Sequence, residues 1–168
     1  RCQSRRRISA LSGFHRRPRP AFRFLAMHIQ RLDRPVQLTF SLAFRYSDEV
    51  SGIIIPIAVR YEGRAIETKA IVDPGAGVCL FKREHGEELG IPIERGELIT
   101  LDTLGGPIQA FGHEVILQTG DIVFESIVYF AKHHGLKRNL LGRQGWVRKM
   151  LLGINDNDNV LYLNSFSD

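Results

Sequence analysis

Cysteine is nearly absent from this chain. Cys2 and Cys79 are the two in 168 residues, far apart and in unlike surroundings, which excludes a disulfide framework. A reducing compartment follows, and the expected location is cytoplasmic. Long apolar runs are missing too. The longest candidate, Ile53 to Val59, is strand-sized and contains Pro56, well short of the ~20 residues a membrane helix needs. No membrane partner is expected. Acidic residues are missing from one place: residues 1–26 hold eight arginines and no Asp or Glu. The remaining residues hold 15 Lys+Arg and 18 Asp+Glu, a net charge of −3. The overall +5 therefore belongs to the leader. A mildly acidic folded part argues against nucleic acid as a partner.

Three readings of residues 1–26 stay open. The first methionine is Met27, so the segment is either non-native sequence upstream of the true start, an Arg- and Ser-rich transit peptide, or a basic arm for anionic surfaces. Under all three it is expected to be disordered in isolation. Residues 27–52 form an approach segment. Its apolar positions Val36, Leu38, Phe40, Leu42 and Phe44 alternate with Gln37, Thr39, Ser41 and Ala43, the period of one half-buried strand. Residues 53–168 are expected to be the domain proper.

That domain reads as short strands separated by turns. Ile53 to Tyr61 is apolar and β-branched, Glu62-Gly63 is a hairpin signal, and Ala65 to Val72 returns. Lys82 to Leu89 is the one convincing helix, with Gly90 at its cap and Pro92 beyond. Strands are expected at 98–101, 108–111, 115–119, 122–130 and 160–163, with 146–152 either a strand or a helical turn. Turn signals every 8 to 12 residues predict an all-β barrel or sandwich.

Most chemical constellations fail. His113-Glu114 starts a zinc-protease pattern, but Leu117 stands where the second histidine belongs. His133-His134 lacks a partner at zinc spacing and reads as a solvated pair. His85, beside Glu84, Glu87 and Glu88, reads as an exposed helix face. Asn155 to Asn159 lacks the glycine and the glutamate of a calcium loop. Cys79 reads as a small buried hydrophobe. No metal and no cofactor are expected.

Two motifs remain. Ala70-Ile71-Val72-Asp73-Pro74-Gly75-Ala76 ends the second strand of a hairpin, and Asn139-Leu140-Leu141-Gly142-Arg143 follows about 65 residues later. Together they resemble the retropepsin family of aspartic proteases, and Gly145-Trp146 with the strand-turn-strand ending at Leu163 resembles its bacterial branch. In that family two apolar residues precede Asp-Thr-Gly-Ala or Asp-Ser-Gly-Ala, and an Ile-Ile/Leu-Gly-Arg segment packs beside the loop and opens a C-terminal helix. Gly105-Gly106 falls at the place of the family's glycine-rich flap tip. The resemblance spans about residues 53–164. It implies an all-β, single-lobed retropepsin-like barrel with one or two short helices.

The resemblance also implies a function: endopeptide hydrolysis by a homodimer acting on a peptide or protein substrate at mildly acidic pH. Asp73 would be the catalytic residue, with Gly75, Ala76, Gly105 and Gly106 against the substrate. The chemistry needs two carboxylates, one ionised to take a proton from water and one protonated to polarise the carbonyl. A single lobe carries one such loop, so the second aspartate must come from a two-fold mate. The chain departs from the family at Pro74, where Thr or Ser bonds across the dimer through its hydroxyl and amide. Proline has neither. That departure keeps a second reading open, a catalytically impaired peptide-binding or dimerisation module.

Overall fold

The computed structural model describes residues 33–49, 51–103 and 105–166. All of residues 1–26, with the three readings of the leader and its expected disorder, and Cys2 among them, lie outside the described residues. The chain divides into a unit of residues 1–37 and a unit from Leu38 to Asp168; the fold below is that of the second.

Strand β1 (Leu42–Arg45) is followed by the hairpin β2 (Ile54–Tyr61) and β3 (Arg64–Val72). Glu62 and Gly63 both take left-handed backbone, φ 43° and 81°, the turn that matches the twist of a two-residue hairpin. Alternation decides the faces: Ile55, Ile57 and Val59 are buried, while Pro56 and Arg60 are exposed. Proline is tolerated at 56 because β2 gains its second neighbour only at Ala58–Arg60.

Next come β4 (Cys79–Phe81) and the single turn-and-a-half of helix α1 (Arg83–Glu88). Gly90, at φ 74°, ends the helix in the left-handed conformation that glycine adopts without strain. A meander follows: β5 (Glu97–Thr103), β6 (Gly106–Thr119) and β7 (Ile122–Ala131). The two strands expected at 108–111 and 115–119 are thus one. The apolar pattern breaks at Gly112-His113, yet the ladder to β7 runs through both. Gly112 is small because a Cβ there would lie 2.7 Å from the ring of Tyr129.

Strand β8 (Asn139–Leu141) then enters the sheet between β3 and β4. The order β2-β3-β8-β4-β7-β6 closes through a β2–β6 pairing into a six-stranded barrel, and β5 extends from β6 as a hairpin arm. Phe81, Phe130, Leu117, Leu141 and Trp146 fill the interior. The indole N–H of Trp146 donates to Thr119 Oγ1 at 3.0 Å, which satisfies two fully buried polar groups.

The chain ends with β9 (Met150–Asn155) and β10 (Val160–Ser165), which form a three-stranded sheet with β1 in the order β1-β10-β9. Between β8 and β9 runs one 3-10 turn, Val147–Lys149, so 146–152 is helical turn first and strand second. The C-terminal helix implied by the family resemblance is reduced to that turn. The approach strand is also shorter than its alternation predicts. It covers 42–45 where 36–44 is expected, because β10 has only Asn164 and Ser165 left beyond Leu163, the partner of Leu42.

Candidate active site

Asp73 follows the last residue of β3. Its own N–H donates to Leu141 O at 3.0 Å, which ties the end of β3 to β8. The chain then turns: Ala76 N–H donates to Asp73 O at 3.1 Å, closing a four-residue turn with Pro74 at its second place, where proline is favoured. The side chain bends into the same turn. Asp73 Oδ1 accepts from Gly75 N–H at 2.9 Å and from Ala76 N–H at 3.2 Å. Neither bond uses the amide of residue 74. Within one protomer, Pro74 therefore costs the carboxylate nothing.

The second motif holds this loop in place. Arg143 N–H donates to Ala76 O at 2.9 Å, Gln144 N–H to Gly77 O at 3.0 Å, and Val78 bridges Gln144 in parallel. A Cβ on Gly142 would lie 2.1 Å from Val78 O, so the two backbones meet where only glycine fits. The Arg143 side chain is exposed; it is the backbone that serves. Cys79, beside this contact, is buried, and burial pushes its thiol up to about 12. It is a packing residue rather than a nucleophile.

The cleft over the loop has a volume of about 780 Å³. Asp73, Gly75 and Ala76 form one side, Leu80 and Leu140 are part of the floor, and Leu101, Asp102, Thr103 and Gly105 of the β5–β6 hairpin border it. The structure thus brings Asp73, Gly75, Ala76 and Gly105 around one space. Gly106 does not line it. It sits at the hairpin turn with φ 108°, its carbonyl accepting from Thr103 Oγ1 at 2.7 Å. Sequence reasoning missed Leu101, Asp102 and Thr103. Their signal is that they are the last three residues of β5 before the flap tip, and Asp102 adds a second carboxylate to the cleft wall.

None of the four described histidines lines this cleft. His85 is half-buried rather than on an exposed face, with Nε2 3.1 Å from Thr68 Oγ1. Burial pulls its pKa below the usual 6.5. His113 Nε2 lies 2.8 Å from Ile93 O. His133 and His134 are exposed, and His134 pairs with Glu87 at 3.0 Å. Among the described residues no group of three His, Cys, Asp or Glu is placed to hold a metal ion, and no helix is long and apolar enough to cross a membrane.

No protein-family model matches the sequence, and no curated protein matches it. Solved structures do. A retropepsin-like aspartic protease from Rickettsia conorii superimposes with a TM-score of 0.55 at 18% identity, over 73% of this chain and 97% of that one. The chain has the retropepsin fold. EIAV protease, in complex with an inhibitor, matches at a TM-score of 0.42 and 16% identity, over 63% of this chain and 88% of its own. In this retropepsin fold the loop of Asp73, the Gly142 crossing and the β5–β6 flap enclose one cleft.

Proposed function

We propose that the chain is an aspartic endopeptidase whose active form is a homodimer, with Asp73 from each protomer completing the dyad. The observation that carries the reading is the turn at 73–76, where two backbone amides hold one carboxylate oxygen at the edge of a cleft under a β-hairpin. With Oδ1 so held, Oδ2 is the oxygen left to meet water and the carboxylate of the mate. Two carboxylates in contact share one proton. The ionised one takes a proton from water, which attacks the peptide carbonyl; the protonated one supports the developing oxyanion and then protonates the leaving nitrogen. The flap would cover an extended peptide and exclude bulk water. In this reading Gly75, Ala76 and Gly105 meet the substrate backbone, Gly106 shapes the hairpin turn behind them, residues 53–168 are the protease domain, and no cofactor takes part.

Pro74 favours a second reading. It removes a hydroxyl and an amide that would cross the dimer, so the domain would bind peptides, or itself, without cleaving them. One experiment separates the two: cleavage of a mixed peptide library between about pH 4 and 7, with the dimer checked by light scattering. Cleavage that drops about 100-fold or more in Asp73→Asn is the expected result. A folded dimer that cleaves nothing, and gains cleavage in Pro74→Thr, would establish the second reading instead.

A further inference from the structure

A second groove, about 760 Å³, opens from the Asp73 cleft and shares Gly105 and Leu140 with it. It runs between the start of β6 and the loop that joins β7 to β8. Its rim is basic: His133, His134, Lys137 and Arg138, all exposed. Ile108 and Leu136, both half-buried, contribute apolar wall. No Asp or Glu is among its described lining residues. The adjoining cleft has the opposite sign, with Asp73 and Asp102 and no basic residue among its described lining residues.

These two spaces sort charge. We infer that the groove is a specificity site for an acidic side chain, Glu in particular, at a position flanking the scissile bond of a bound peptide; the inference rests on the peptide-cleft reading above. Glu carries two methylenes that fit the apolar wall and a carboxylate that reaches the rim. Lys137 is a point charge on a flexible stem, and Arg138 is a fork already steadied by a bond from Nη1 to Ser51 O at 3.1 Å. The same carboxylate in the main cleft would face Asp73 and Asp102. Attraction in one space and repulsion in the other fix the register of an extended substrate. His134 contributes less than the two full cations, because Glu87, which also pairs with Arg83, already faces it.

The test uses sets of peptides identical except for Glu, Gln or Lys at each position near the cleaved bond. Cleavage is followed with the wild-type chain, and binding by fluorescence anisotropy with Asp73→Asn. At one flanking position Glu is expected to exceed Gln by about 5-fold in kcat/KM, the scale of a part-exposed charge pair. The preference should shrink as salt rises and should reverse toward Lys in Lys137→Glu. Cleavage with no Glu preference at any position, or with a preference that Lys137→Glu leaves intact, overturns the inference while the protease reading stands. Without cleavage, tighter binding of the Glu peptides that Lys137→Glu abolishes upholds the groove and removes the enzyme. Neither cleavage nor a charge-dependent difference in binding overturns both.

Discussion

Gly142 carries the closest backbone contact among the described glycines. A Cβ would meet Val78 O at 2.1 Å and Val78 C at 2.4 Å, and these are main-chain atoms fixed by the bonds from Arg143 and Gln144 to the loop. Nothing flexible can yield. Gly142→Ala is therefore expected to cost about 3 kcal/mol, the upper range for overpacking, and to loosen the Asp73 turn with it. Urea unfolding checks this; a loss under about 1 kcal/mol would show that the crossing can relax. The motif was readable at 142 because a backbone crossing demands one residue type. His85 was not readable in the same way. Its partner Thr68 is 17 positions away on another element, and nothing beside it in the sequence says that the helix turns that face inward.

At the scale of elements, one buried side chain joins three of them. Asn139, 2% exposed, opens β8. Its Nδ2 donates to Lys69 O at 2.9 Å and Thr68 Oγ1 at 3.2 Å on β3, and its Oδ1 accepts from Lys82 N–H at 3.0 Å, where β4 passes into α1. Removing the amide takes a partner from two part-buried backbone groups, the Lys69 carbonyl and the Lys82 N–H. Asn139→Ala is expected to destabilise by about 2–3 kcal/mol, whereas Leu140→Met, next to it and half-buried, should cost under about 1.5 kcal/mol. Thermal melting of the two variants side by side tests whether the polar bonds, rather than position in β8, are what matters. The strands themselves were visible as alternation and turns. The union of 106–119 into one β6 was not, because Gly112 makes its room for Tyr129 across the ladder.

Acid is where the whole molecule meets its proposed chemistry. Burial lowers the pKa of His85 in the folded state, so below about pH 6.5 the unfolded chain takes up that proton first. Stability is full above the ordinary value of 6.5. It falls as the pH drops from there toward the lower folded value. His85→Gln, which can still bond Thr68, is expected to flatten that part of the profile. Unfolding in urea at about pH 7.5 and about pH 5.5 would show it; an equal slope in the variant would mean that other groups set the acid limit. The same profile bounds the conditions in which cleavage can be measured on a folded protein.

Local demands were written in the sequence alone. The Glu62-Gly63 turn, the stop at Gly90, the Asp73-Pro74-Gly75-Ala76 turn and the glycine at 142 each need a particular backbone freedom or hydrogen-bonding group, and neighbouring residues declare it. Tertiary structure decided the rest. Closure of the barrel through Ala58–Arg60 on Ile116–Gln118, the pairing of Leu42–Arg45 with Val160–Leu163, and the meeting of Asp73 with Asp102 in one cleft join residues tens of positions apart. No short window carries such pairings, because their free energy is the summed burial of many side chains and appears only when the whole sheet is assembled.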